Sequence, residues 1–124
     1  MKLLVVEDNE VNRYLARVLL LHKGHEMAEV ATAAEAIATL DSGPLPDVVL
    51  LDIQIPGGGL SVLAHIRATP LLAGLAVIAH TAFAMRGDRE RFLAAGCDGY
   101  IAKPIDVKTF VAEIETILRA RRRT

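Results

Sequence analysis

Short runs rich in apolar residues alternate along this chain with stretches whose apolar positions recur at helical spacing. Residues 3–6, 26–31, 48–51, 75–79 and 99–102 read as strands. Runs of four to six residues bounded by turn formers suit the buried strands of a parallel sheet. After the first run, Asn9 offers an N-cap, and Val11, Tyr14, Leu15, Val18 and Leu19 follow at helical spacing until Gly24. Thr32 precedes a second helix over 33–40, with Glu35 placed to complete a capping box. Residues 41–46 carry loop chemistry. A third helix bears Leu60, Leu63, Ala64 and Ile66 and closes at Pro70. A fourth spans 85–95 and ends at Gly96. Asp106 caps a fifth, with Phe110, Ile114, Ile117 and Leu118 on one face.

Five strand–helix units in strict alternation predict an α/β fold, a doubly wound parallel sheet with helices on both faces. The composition agrees. Of the 124 residues, 52% are hydrophobic and only 4% aromatic, so the core must be aliphatic. One domain over 1–124, with a basic tail at 119–124, is the expectation. A net charge of −1 lacks the footprint of a nucleic-acid binder, so that partner is not expected. Lys2 is followed by only four apolar residues before Glu7, too few for an export signal, and no stretch is long enough for a membrane span. The lone Cys97 fits a reducing cytoplasm.

The chemistry clusters at the strand ends. Glu7 and Asp8 follow the first strand, Asp52 the third and Lys103 the fifth, while Thr81 ends the fourth. In open α/β sheets the ligand crevice lies at the carboxyl ends of the strands. Acids gathered there repel one another unless a cation compensates them. Mg²⁺, which prefers oxygen ligands, and Lys103 would supply that charge. A carboxylate can also act as a nucleophile toward phosphorus. Pro104 allows a cis peptide after Lys103, a minority conformation for any X-Pro bond.

Four runs taken in order carry a resemblance: VVEDN from Val5, DIQIP from Asp52, HTA from His80 and GYIAKPI from Gly99. The chain resembles a receiver domain of a two-component response regulator over nearly its whole length. The stretch TAFAMRGDRERFLAAGCDGYIAKPI is similar to stand-alone, cell-cycle-type receivers and to those attached to hybrid kinases. The resemblance implies a flavodoxin-like sheet with strand order 2-1-3-4-5 and no output domain. It implies that Asp52 accepts a phosphoryl group from a sensor histidine kinase or a histidine phosphotransfer protein. Asp8, Asp52 and the backbone carbonyl of Gln54 would bind Mg²⁺, or Mn²⁺ in its place, with Glu7 reached through water. Lys103 and Thr81 would contact phosphoryl oxygens, and Tyr100 would be the switch aromatic. Ala82, Phe83 and Pro104 would support them. The output surface would be the fourth helix, fifth strand and fifth helix, facing a downstream protein or, after phosphorylation, a second copy.

Two departures stand out. Pro56 is followed at once by Gly57-Gly58-Gly59-Leu60, a loop one residue shorter than usual in the family, which predicts mobility beside Asp52. Phe83 stands where an acid would speed phosphate loss, so slower dephosphorylation is expected. His22 and His25, split by Gly24, read as a loop pair and not a metal site. His65 is expected on an exposed helix face, His80 as a packed neutral imidazole, and Cys97 as packing. A hydrolase using Asp52 would need a second acid two residues on, where Gln54 stands. A nucleotide-binding domain would need a phosphate loop that this chain lacks.

Overall fold

The computed structural model describes residues 1–82 and 85–122, the last by its backbone alone. Phe83 and the Arg123 of the basic tail lie outside the described residues, so the expectation about Phe83 carries no structural account. Ten elements alternate: β1 (Lys2–Val6), α1 (Glu10–His22), β2 (Glu26–Val30), α2 (Ala33–Ser42), β3 (Val48–Leu51), α3 (Gly59–Ala68), β4 (Ala76–Thr81), α4 (Asp88–Ala94), β5 (Gly99–Ala102) and α5 (Phe110–Arg122). All strand pairs are parallel, in the order β2-β1-β3-β4-β5. This is the flavodoxin-like sheet that the resemblance implies.

Strand alternation divides the core in two. Leu4, Val6, Val49, Leu51, Val77 and Ala79 face α2, α3 and α4, where Ala36, Val62, Ile66 and Phe92 meet them. Leu3, Val5, Val48, Leu50, Ala76 and Ile78 face α1 and α5, against Ala16, Leu20, Phe110 and Ile114. Every residue of β3 is buried, as a central parallel strand covered on both faces requires.

Caps explain most helix boundaries. Asn9 Oδ1 accepts from the Asn12 amide at 3.0 Å. Thr32 Oγ1 accepts from Glu35 N at 3.1 Å, and Glu35 Oε1 accepts in return from Ala31 N at 3.2 Å. Three helix boundaries differ from expectation by two residues or more. Helix α2 runs on to Ser42, whose hydroxyl bonds back to the Ala38 carbonyl at 2.6 Å. Helix α4 starts at Asp88 and not at residue 85, because Gly87 takes φ of 90° and Asp88 Oδ2 accepts from the Met85 amide. Asp106 caps a turn over 107–109, and α5 proper begins at Phe110.

The apolar spacing on α1 does not mark its core face. Ala16 and Leu20 are buried, while Val11 is 71% and Tyr14 60% exposed, with Val18 and Leu21 also open. Leu60 and Ala64 of α3 are exposed as well, and Val62, Leu63 and Ile66 hold the core. Both helices carry apolar residues on more than one face, so periodicity alone could not choose between them.

Candidate functional site

The site sits where the strand order reverses, between β1 and β3. Val6 pairs with Leu51 and Thr81 with Ala102. Glu7, Asp52 and Lys103 are the first residues past the ends of β1, β3 and β5. Ladder hydrogen bonds continue into the site: Glu7 N to Val30 O at 3.0 Å, Asp52 N to Val6 O at 2.9 Å, and Lys103 N to Thr81 O at 2.9 Å. The backbones of these residues are thus held by the sheet.

Their side chains converge. Ligand oxygens of Glu7, Asp8 and Asp52 all lie within 4.8 Å of one another. Glu7 and Asp52 are buried, whereas Asp8 is exposed and opens the cluster to solvent. Lys103 Nζ reaches Glu7 Oε1 at 2.5 Å and Asp52 Oδ2 at 2.9 Å. The other carboxylate oxygen of Asp52 accepts from the Gln54 amide at 2.9 Å.

Charge balance follows from this geometry. Burial pushes the Glu7 carboxyl above its ordinary pKa; the Lys103 hydrogen bond opposes that rise and neighbouring Asp52 adds to it. Burial works to lower the Lys103 pKa, but hydrogen bonds to Asp52 and Glu7 outweigh it and hold the amine above its ordinary value. The site keeps a fixed cation beside two crowded carboxylates.

The donors fit a small divalent ion. Oxygens on opposite sides of an octahedral Mg²⁺ stand about 4.2 Å apart, from bonds of roughly 2.1 Å. The three carboxylate oxygens, none further than 4.8 Å from another, are close enough together to share one such ion. The donor set holds neither sulfur nor imidazole, which suits a hard cation.

Other expected positions are placed as follows. Thr81 is fully buried at the end of β4. Tyr100 is half-buried and stacks on Phe92 of α4, with ring centroids 6.1 Å apart. The Lys103–Pro104 peptide is cis, with Pro104 and Ala82 exposed. In the glycine loop, Gly57 and Gly58 take φ of 88° and 83°. A Cβ on Gly59 would meet Asp52 O at 2.5 Å and Ile53 Cα at 2.6 Å. The loop is closed by Gly58 N to Ile55 O, Gly59 N to Ile53 O and Ser61 Oγ to Gly57 O, at 2.9–3.0 Å.

The residues set aside by sequence resolve in varied ways. His25 Nδ1 takes a hydrogen bond from the Met1 amine at 3.0 Å, and its Nε2 faces Glu115 Oε2 at 3.4 Å, so it is a bridge between elements. His65 is half-buried and pairs with Asp41 at 2.8 Å, which ties α3 to the end of α2. His80 is buried. Burial pushes the Cys97 thiol up to about 11, consistent with a packing role. Sequence reasoning missed the open apolar stripe of Val11, Tyr14, Val18 and Leu21 on α1. Its steps of three and four residues are visible in the sequence, but helical spacing marks a helix and not which of its faces stays open.

A model of the response regulator receiver domain matches residues 3–115. The chain belongs to that receiver-domain family. It is 41% identical over 116 residues to the polar-differentiation response regulator DivK of Brucella ovis, covering 93% of this chain and 94% of that protein. A response regulator of Chloroflexus aurantiacus superposes with a TM-score of 0.87 at 27% identity, over 95% of this chain and 97% of the other. The receiver domain of the Pseudomonas aeruginosa sensor histidine kinase PA1611 gives 0.81 at 34% identity, over 96% and 94% of the two chains. That neighbour holds a magnesium ion in its active-site cleft. As a receiver domain, this chain is a two-component signalling protein. Among the described residues, no helix is long and apolar enough to cross a membrane.

Proposed function

We propose that this receiver is a switch phosphorylated on Asp52 by a sensor histidine kinase or a histidine phosphotransfer protein, with Mg²⁺ bound beside it. The observation that carries this reading is the convergence of Glu7, Asp8, Asp52 and Lys103 from three strand ends onto one pocket.

In the transfer, a carboxylate oxygen of Asp52 forms a bond to phosphorus as the donor's phosphorus–nitrogen bond breaks in line. The electron pair of that bond returns to the imidazole nitrogen, which takes up a proton. Asp8, Asp52 and the Gln54 carbonyl would hold Mg²⁺, with Glu7 acting through water and Mn²⁺ serving as a substitute. The ion would supply positive charge to the phosphoryl oxygens. Lys103 lies within hydrogen-bond reach of Asp52, so its ammonium needs only to turn from the carboxylate to a phosphoryl oxygen. Thr81 would donate its hydroxyl to another oxygen, with Ala82 and Pro104 beside it.

Docking of the donor finds support on α1. Val11, Tyr14, Val18 and Leu21 form an open stripe at coiled-coil spacing, starting next to the Asn9 cap at the site. Such a seam suits a helix of the partner that brings its phosphohistidine to Asp52. Output would leave by α4, β5 and α5. Tyr100 lines clefts of about 510 and 450 Å³ shared with α5 and another of about 450 Å³ shared with α4. A swing of this ring would therefore reshape that surface for a downstream protein or a second copy.

The protein acts here as a stoichiometric acceptor with slow loss of phosphate. Incubation with acetyl phosphate and Mg²⁺ tests the reading by mass spectrometry of the intact protein. One phosphoryl adduct, absent in Asp52→Asn, is expected. An adduct that persists in Asp52→Asn, or continuous turnover of the phosphodonor without an adduct, would overturn it.

A further inference from the structure

His80 breaks the pattern of the face into which it packs. Its strand neighbours on that face, Ile78 and Ala76, are buried hydrophobics of the core beneath α1 and α5. Its register partner on β5, Ile101, belongs to the same cluster. His80 is itself 3% exposed, and its ring stands 5.5 Å from that of Phe110, the first residue of α5, at a 51° tilt. Its Nε2 has no hydrogen-bond partner among the described residues. Burial, reinforced by the charge of Lys103, brings its pKa down to about 4, so the ring is neutral. A polar atom buried without a partner loses its hydration and gets nothing back. A leucine would fill the site without that loss.

The position of this imidazole gives the anomaly a meaning. It is adjacent in β4 to Thr81, whose carbonyl accepts the Lys103 amide at 2.9 Å. The ring is thus wedged between the strand end that carries the switch threonine and the start of α5. A backbone displacement of Thr81 toward a phosphoryl oxygen carries the neighbouring residue with it, since adjacent Cα atoms are about 3.8 Å apart across a stiff peptide.

We propose that His80 is a positioning residue for the switch: its orphaned Nε2 gains a hydrogen-bond partner, a protein group or a water, when the end of β4 shifts with Thr81. The imidazole then makes the resting arrangement the less satisfied of two, and favours the phosphorylated one. This rests on Asp52 being the phosphoacceptor.

The test uses the intact protein labelled with ¹⁵N-histidine, with Mg²⁺ and beryllofluoride as the phosphoryl analogue. The Nε2 resonance of His80 is expected to move by several ppm on saturation, and to stay at its resting position in Thr81→Ala. His80→Leu is expected to bind beryllofluoride about fivefold more weakly, equivalent to about 1 kcal/mol, and His80→Gln to recover most of the loss. Unchanged His80 resonances while amides around Asp52 respond would overturn the proposal alone. So would undiminished beryllofluoride affinity in His80→Leu. Silence of the Asp52 amides would instead remove the phosphoacceptor reading, and this inference with it.

Discussion

Glu7 and Asp52 hold one ammonium group between them. Lys103 Nζ stands 2.5 Å from Glu7 Oε1 and 2.9 Å from Asp52 Oδ2, and both carboxylates are buried. The three residues come from three strands, so their meeting depends on the sheet register. The arrangement stores a cation at the place where phosphoryl charge would arrive.

Removal of that cation leaves two crowded carboxylates unopposed. Lys103→Met is expected to lose about 3 kcal/mol of stability at pH 7, read by urea unfolding. The deficit should shrink as pH falls, because protonation of the carboxyls relieves their repulsion. In the native protein Glu7, with its pKa held above 4.5, binds more protons folded than unfolded. Its contribution therefore weakens as pH rises past 4.5, and added Mg²⁺ should restore it. A deficit that grows on acidification would contradict this electrostatic account.

His80 sets a second pH dependence of opposite sign. Its folded pKa of about 4 lies below the ordinary 6.5, so the unfolded chain binds more protons between those values. The stability it contributes is complete above pH 6.5 and is lost as pH falls toward 4, by about 3 kcal/mol in all. The difference in unfolding free energy between the native protein and His80→Leu should follow that window. A difference independent of pH from 7 to 4 would show that the imidazole is not held neutral.

The glycine loop separates two reasons for glycine. Gly59→Ala is expected to cost about 2–3 kcal/mol and to lower the yield of Asp52 adduct, since the added methyl would press on the backbone of Asp52 and Ile53 at 2.5–2.6 Å. Gly58 has open space, and its φ of +83° is the only obstacle. Gly58→Ala should cost about 1–2 kcal/mol and leave the adduct yield intact. Equal loss of adduct in both variants would refute the distinction.

The α1 stripe predicts a split between phosphodonors. Tyr14→Ser with Val18→Ser should slow transfer from the phosphorylated donor protein at least tenfold, with acetyl phosphate used at the native rate. Both side chains are exposed, so stability should change by less than about 1 kcal/mol. Stopped-flow measurement with each donor decides it. Equal slowing with both would place the defect at Asp52.

The apolar runs and their turn residues were enough to read five strand–helix units, because a buried parallel strand and a capped helix leave local signatures. Asn9, Thr32 and Gly24 did this work within a few residues of themselves. The acids and Lys103 were legible for a related reason: a residue just past a strand must lie at the sheet edge. Gly87 shows the limit, since its positive φ delayed α4 by three residues and no spacing announced it.

What the chain determined locally was the identity and order of its elements and the chemistry at their ends, since propensity, capping and period act over a few neighbouring residues. Tertiary structure alone decided which face of α1 is covered, that one lysine bridges Glu7 and Asp52, and that the packed His80 has no partner for Nε2 among the described residues. Each of these is a contact between residues tens of positions apart. Such contacts depend on strand order and register, which a parallel sheet sets only when its crossovers close.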